Sequence, residues 1–194
     1  MKFIIDKYTV EKIINYNNII NEVQNVDVYA DFGFRDEYCN YYGLSFTTNK
    51  TYQDIYFAYM QREKKNVNLT YKTILEYLYK YTGRIDYSFA SKLLHTINQN
   101  QPILDKHVMR LLGFPLKTTG NAQERINYYV VVQKTVFDEY QKIEQGLKTG
   151  KNEIHKALRD FDKMFPCYAK LTITKKIDCI LFRVRKERGL SVLG

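Results

Sequence analysis

Residues 70–115 decide the fold, and they read TYKTILEYLYKYTGRIDYSFASKLLHTINQNQPILDKHVMRLLGFP. Residues 70–81 carry apolar side chains at helical spacing, behind a threonine that can act as the N-cap. Gly83 marks a tight turn, after which residues 87–97 resume the helical pattern. A polar segment ends that helix, and Asp105 is placed to cap another one. The stretch therefore predicts a helix, a glycine turn, a second helix, a loop and a third helix.

The rest of the chain also carries helical patterns. Further helices are predicted over residues 9–24, 52–64, 121–148 and 151–164 and in a last segment, with Thr9 capping the first and Thr174 the last. Residues 25–50 are aromatic and are interrupted by two glycines, so we expect a loop with short turns there. Strand-like alternation never extends beyond a few residues. The sequence therefore predicts an all-α fold.

Length and composition limit the classes to which the chain can belong. Its 194 residues fit a single compact unit, residues 1–194, with approximate parts 1–50, 51–118 and 119–194. Three scattered cysteines without a Cys/His cluster predict reduced thiols, no metal and no cofactor. The N-terminus lacks the apolar core of a signal peptide, and no apolar run reaches the length of a membrane span. We expect a cytoplasmic protein that does not bind membranes.

Positive charge is concentrated in the later part of the chain. The formal net charge is +9, but residues 1–60 hold 5 basic and 8 acidic side chains. Residues 61–120 hold 10 basic and 4 acidic side chains, and residues 121–194 hold 15 and 9. A basic surface of this kind favours nucleic acid or another polyanion as the partner.

The glycine turn is followed by a short motif around the capping aspartate. An alanine lies in the second helix, and the next segment has the spacing P-x-x-D-x-H-V-x-R, formed by Pro102, Asp105, His107, Val108 and Arg110. These residues resemble the helix-hairpin-helix superfamily of DNA glycosylases, the endonuclease III and 8-oxoguanine glycosylase group, in which the proline is one residue further from the aspartate. The resemblance covers about residues 70–115. It implies a two-lobed helical fold with a cleft between the lobes.

The resemblance also implies an activity, the excision of a damaged or modified base from double-stranded DNA. The enzyme flips the base out of the helix and hydrolyses its N-glycosidic bond, in base excision repair or in defence against modified phage DNA. Asp105 would be the catalytic carboxylate, because the departing base leaves positive charge on the sugar that a carboxylate stabilises. A helix N-terminus favours the negative charge that this role needs.

Two departures from the family pattern bear on the chemistry. Ile85 replaces the second glycine of the hairpin, which predicts a wider turn. Members with lyase activity have a nucleophilic lysine just before the alanine of the second helix, where this chain has Tyr87 and Ser88. Lys92 lies one turn beyond Ser88 on the same helix face and is a second candidate catalytic residue. We expect a monofunctional glycosylase and leave lyase activity open.

The resemblance and the residue types also indicate which side chains contact DNA. Turn amides and basic side chains bind phosphates, so the predicted DNA-binding residues are Thr82, Gly83, Arg84, Ser88, Lys106, His107 and Arg110. Aromatic rings stack on a flipped base, so the predicted base pocket comprises Phe34, Tyr38, Tyr41 and Tyr42. Asp178 is a further candidate for the cleft, whereas His95 and His155 have no evident partner. We expect a monomer that binds double-stranded DNA.

Two other functions remain open on the sequence alone. The same helices can form a helix-hairpin-helix module that binds DNA without catalysis. They can also belong to a helical regulator that binds RNA or protein.

Overall fold

The computed structural model describes residues 7–45, 48–147, 149–150, 153–168 and 170–184. These residues form helices connected by turns, and no β-strand occurs among them, which confirms the all-α prediction. The helices are α1 (Lys7–Glu22), α2 (Phe32–Tyr42), α3 (Lys50–Glu63), α4 (Tyr71–Thr82), α5 (Tyr87–Ile97), α6 (Lys106–Leu111), α7 (Ala122–Gln145), α8 (Glu153–Met164) and α9 (Ile173–Val184), with a 3₁₀ turn at Pro166–Tyr168.

The described chain forms two compact units. Helices α1 to α5 belong to the N-terminal unit, which ends at Asn98, and helices α6 to α9 belong to the C-terminal unit, which begins at Gln99. The single unit and the cleft expected from the sequence stay predictions.

Tyrosines form much of the core of the N-terminal unit. Tyr38 and Tyr56 are fully buried, and their hydroxyls share a hydrogen bond of 2.8 Å. The Tyr56 hydroxyl also bonds the backbone carbonyl of Phe89, at 3.0 Å, which ties α3 to α5. Burial raises the pKa of both tyrosines above the ordinary value, so these hydroxyls stay neutral. Each buried hydroxyl thus has the partner that its removal from water requires.

The C-terminal unit is built from α6 to α9. Helix α9 packs against α6, α7 and α8, and its buried face includes Ile177, Ile180 and Leu181. Helix α8 contributes Leu158 and Phe161 to the same core. The position of α9 against three other helices places its polar residues beside the Asp105 segment.

Several predicted helices are confirmed with their caps. Helix α5 has the bounds predicted for it, and the Thr70 side chain caps α4 through a capping box with Thr73. Asp105 caps α6, and Asn121 forms a capping box at the start of α7. At Thr70 and Asp105 the local signal, a short polar side chain before an apolar repeat, was sufficient to predict the cap.

The loop predicted for residues 25–50 is wrong over residues 32–42, which form helix α2. Asp31 caps this helix by accepting a hydrogen bond from the Phe34 amide, and Gly43 ends it in the left-handed conformation. Phe34, Tyr38 and Tyr42 follow at intervals of four and bury one face. The glycine in the first turn and several weak helix formers lower the helix propensity of this segment. Burial of the aromatic face stabilises the helix despite that low propensity.

Two predicted N-caps are also wrong. Helix α1 begins at Lys7, so Thr9 lies inside it. Helix α9 begins at Ile173, and the Thr172 hydroxyl accepts a hydrogen bond from the Lys175 amide at its start. Thr174 instead donates to the carbonyl of Asn100, at 3.2 Å. A neighbouring threonine fits the capping pattern equally well, so the pattern did not fix the register.

Both histidines without an evident partner in the sequence have one in the structure. The Nε2 atom of His95 is 3.0 Å from the hydroxyl of Tyr16 in the core of the N-terminal unit. The Nε2 atom of His155 is 2.9 Å from the carbonyl of Ile143. Both are therefore structural residues, each joining two helices of its own unit.

Candidate functional site

The predicted hairpin turn is present between α4 and α5 in the N-terminal unit. Gly83 ends α4 with φ 71°, and its amide donates to the carbonyl of Tyr79, at 2.8 Å. The Thr82 hydroxyl donates to the carbonyl of Leu78, at 2.6 Å, and accepts from the Arg84 amide, at 3.2 Å. These bonds fix the turn that the resemblance assigns to phosphate binding.

The conformation of Gly83 leads to a prediction on stability. We expect Gly83→Ala to lower the free energy of unfolding by about 1 kcal/mol, because a Cβ is strained at positive φ. Gly33 lies inside α2 with negative φ, and a Cβ there would lie 3.3 Å from Oδ1 of Asp31, so Gly33→Ala is expected to change stability by less than about 0.5 kcal/mol. Urea denaturation of both variants measures the difference. Equal effects of the two substitutions would contradict a left-handed turn at Gly83.

The charged side chain of the turn is already paired. The Nε atom of Arg84 lies 3.0 Å from Oδ2 of Asp86, and its guanidinium group lies 5.0 Å from the ring centre of Tyr52. Asp86 precedes α5 but makes no side-chain cap bond there. Ser88 lies half-buried in the first turn of α5, and its carbonyl accepts from the Ser91 hydroxyl. The negative charge of Asp86 therefore offsets the positive charge of Arg84, which is predicted to bind a phosphate.

Lys92 has structural contacts in the same unit. Its Nζ donates to the carbonyl of Tyr42, at 3.0 Å, and lies 4.9 Å from the ring centre of Phe89. This carbonyl lies at the last residue of α2, where a cation also interacts favourably with the helix dipole. The catalytic role of Lys92 stays a prediction. Its contacts with Tyr42 and Phe89 give Lys92 a structural role in the N-terminal unit.

Three of the four residues predicted for the base pocket belong to the core. Phe34, Tyr38 and Tyr42 are at most 6% exposed. The rings of Tyr38 and Tyr42 lie 4.6 Å apart between centres, and Phe34 packs against Tyr38. Tyr41 is half-buried, with the Lys12 ammonium 5.1 Å from its ring centre. Packing explains the first three rings, and nothing in it supports their contact with a base.

Asp105 is a firmly held residue of the C-terminal unit. Its Oδ1 accepts hydrogen bonds from the amides of His107 and Val108, both at 2.8 Å. Its Oδ2 accepts none from the described residues, and the side chain is half-buried. One oxygen of the carboxylate is therefore fixed by the helix, which leaves the other for a further interaction.

The segment before Asp105 is anchored by side chains of α7 and of the start of α9. Gln133 donates to the carbonyl of Pro102, at 2.9 Å, and Thr172 donates to that of Gln99, at 3.1 Å. Together with the bond from Thr174, these contacts hold three carbonyls of a segment without regular structure. The position of Asp105 thus depends on the packing of the whole C-terminal unit.

The structure brings three other predicted residues together beside Asp105. Lys106 and Arg110 are exposed and lie one turn apart on α6, so both can reach one polyanion. His107 is buried instead, with its Nε2 3.1 Å from the carbonyl of Leu181. A carbonyl only accepts, so Nε2 carries a proton, and His107 joins α6 to α9.

A second carboxylate lies near Asp105. Asp178 of α9 is buried, and its Oδ1 accepts a hydrogen bond from the Tyr140 hydroxyl, at 2.9 Å. Its Oδ2 is also buried, and a backbone hydrogen bond from Ile103 to the carboxylate favours the ionised form. Burial raises the pKa of Asp178 to about 7; Lys175 and the Tyr140 bond lower it, and the charge of Asp105 raises it. The C-terminal unit therefore combines a capping carboxylate with one that is protonated near neutral pH.

Sequence reasoning missed the partners of this second carboxylate. Asp178 itself was a candidate, but Tyr140 and Lys175 were not. A signal existed, since Asp178 follows Ile177 and precedes Leu181 by three residues on a buried helix face. A carboxylate on the apolar face of an amphipathic helix requires a partner.

The described residues form neither a metal-binding cluster nor a membrane-spanning helix. No group of three or more His, Cys, Asp or Glu side chains is placed there to hold a metal ion. None of the helices in this part of the chain is long and apolar enough to cross a membrane.

Comparison with known proteins identified no relative. No protein-family model matches the chain, and no curated protein or solved structure is significantly similar to it.

Proposed function

We propose that this chain is a DNA glycosylase in which Asp105 is the catalytic carboxylate. The observation that carries the proposal is the geometry of Asp105. Its Oδ1 is held by two backbone amides at the start of α6, and its Oδ2 accepts no hydrogen bond among the described residues. A carboxylate held in this way can stabilise positive charge on a sugar without reorganising during the reaction.

The surroundings of Asp105 support a polyanionic substrate. Lys106 and Arg110 are exposed on the same short helix, beside the carboxylate rather than paired with it. Phosphate contacts from such residues position a nucleic acid but do not read its sequence. In the N-terminal unit, the left-handed Gly83 turn between two helices fits the hairpin that the resemblance assigns to DNA binding.

Hydrolysis without a covalent enzyme intermediate is the form of the reaction that we propose. The bond between the sugar C1′ and the base nitrogen breaks, the base leaves with the bonding electrons, and a water oxygen bonds to C1′. Asp105 stabilises the charge on the sugar and accepts the proton of the water. Lys92 does not enter this step, in keeping with its contacts to Tyr42 and Phe89.

The test is the release of bases from DNA. The wild-type protein is incubated with genomic DNAs that include modified cytosines, and released bases are identified by mass spectrometry while abasic sites are counted by alkaline cleavage. We expect one free base and an equal number of abasic sites. Binding of duplex DNA without any released base would overturn the proposal and favour the non-catalytic DNA-binding module.

A further inference from the structure

The C-terminal half of α4 carries an exposed aromatic surface in the N-terminal unit. The ring of Tyr77 stacks on that of Tyr59 of α3, with 3.9 Å between centres and 27° between planes. Tyr81 continues the row one turn later, at 4.5 Å from Tyr77. We call these three residues the tyrosine row. Exposure rises along it, from 3% at the buried Tyr59 to 51% at Tyr81.

Cations lie beside this row. The guanidinium group of Arg62 lies 4.7 Å from the ring centre of Tyr59 and 5.0 Å from that of Tyr77. The ammonium group of Lys80 lies 5.1 Å from the ring centre of Tyr81. Glu63 pairs with Arg62, at 2.7 Å, whereas no ion pair of Lys80 occurs among the described residues. Residues 59–86 hold six basic side chains against three acidic ones.

The exposed side of α4 is aromatic and basic rather than aliphatic. Its aliphatic residues, Ile74, Leu75 and Leu78, are completely buried. The exposed positions of the helix after its first turn are tyrosines and lysine, with no aliphatic residue among them. Tyrosine and arginine are also common at protein interfaces. Ring faces beside cations, in a segment with an excess of basic side chains, suit unpaired bases and their phosphates.

We propose that the tyrosine row is a binding site for single-stranded nucleic acid. A base stacks on the exposed ring of Tyr81 and extends the stack that Tyr77 and Tyr59 begin, while Lys80 binds an adjacent phosphate. Stacking of this kind is tolerant of sequence, because every base has a flat face. The site belongs to a different unit from Asp105 and does not depend on the glycosylase activity proposed above.

The test is the binding of fluorescein-labelled oligothymidine and oligouridine of 15 nucleotides to the full chain, measured by fluorescence anisotropy. We expect Tyr81→Ala to weaken binding about 5- to 100-fold, which is the usual effect of losing one stacked base. Tyr81→Phe keeps the ring and should bind as the wild type does. Tyr79 is 40% exposed on the same helix but lies outside the row, so Tyr79→Ala is the matched control and should change affinity less than about twofold.

Salt dependence tests the role of the cation. Lys80→Ala should reduce the slope of log K against log salt concentration by about 0.7, the value for one phosphate contact to a single strand. Equal affinities of Tyr81→Ala and wild type, equal losses in Tyr81→Ala and Tyr79→Ala, or no binding of single strands at low salt would overturn the proposal. So would a change of oligomeric state in Tyr81→Ala with no change in nucleic-acid affinity, which would assign the surface to a second copy of the chain.

Failure of single-strand binding at the tyrosine row can be distinguished from failure of the glycosylase proposal. Asp105→Asn should bind the single strands as the wild type does, and Tyr81→Ala should retain base release once the duplex is saturating. A protein that releases no base can still bind through the tyrosine row. Either proposal can therefore fail without the other.

Discussion

Asp105→Asn is expected to lower the rate of abasic-site formation at least 100-fold without unfolding the protein. Losing a group that stabilises charge in a transition state commonly costs between about 100- and 1000-fold. Asparagine is as good an N-cap as aspartate, so its Oδ1 can keep the bonds from the amides of His107 and Val108. The substitution therefore removes the negative charge and leaves the start of α6 capped.

Asp31→Asn is the matched control for this experiment. Asp31 is the N-cap of α2 in the other unit, and its Oδ1 accepts from the Phe34 amide at 2.9 Å. Both variants lose one capping charge, and both are expected to lose less than about 1 kcal/mol of stability. Single-turnover cleavage of a labelled duplex that carries the released base measures the rates. Equal rates in wild type, Asp105→Asn and Asp31→Asn would reduce Asp105 to a structural cap.

Asp178→Asn is expected to stabilise the protein at pH 8 by up to about 4 kcal/mol and to have little effect near pH 4. The folded-state pKa of Asp178 is about 7, against an ordinary value of 3.8. The folded state therefore binds one more proton than the unfolded state between about pH 4 and pH 7. Stability falls as the pH rises through that window, because the unfolded state releases the proton that the buried carboxyl group of the folded state retains. The asparagine side chain of the variant does not ionise, so the variant lacks this decrease in stability.

Urea denaturation at pH 4, 6 and 8 measures this difference. At pH 4 the carboxyl group of Asp178 is neutral, so the variant should lie within about 1 kcal/mol of the wild type. A stability difference that does not change with pH would contradict a raised pKa for Asp178. Tyr140, Lys175, Asp105 and Cys179 are the titratable groups that interact with it.

Tyr140→Phe provides the companion measurement. Its hydroxyl donates to Oδ1 of Asp178 and lowers the pKa of that carboxyl group. The phenylalanine variant should therefore be destabilised more at pH 8 than at pH 4, by roughly 1 to 3 kcal/mol. Equal losses at both pH values would assign the effect to packing alone.

Helix ends with strong local chemistry could be predicted from the sequence. The caps at Thr70 and Asp105 follow from short polar side chains before an apolar repeat, and the bounds of α5 follow from the glycine turn and the apolar spacing. Helix α2 could not be predicted by the same reasoning, since its residues are poor helix formers. Its face of Phe34, Tyr38 and Tyr42 is stabilised by burial against other helices, which no local pattern measures.

The candidate site also contains residues that chain spacing brings together and residues that only helix packing brings together. Asp105, Lys106 and Arg110 belong to one short helix and its N-cap, so their spacing along the chain alone brought them together. Tyr140 and Asp178 are 38 residues apart and meet through the packing of α7 and α9. The raised pKa of Asp178 depends on that packing too.

The sequence by itself determined the all-α class, most helices and the capping aspartate, because helix periodicity and capping act over a few residues. Only the tertiary structure decided which aromatic rings are buried, that Lys92 contacts Tyr42, and that Asp105 has a second carboxylate nearby. These features depend on burial and on contacts between distant segments. Such contacts arise only when whole helices pack together.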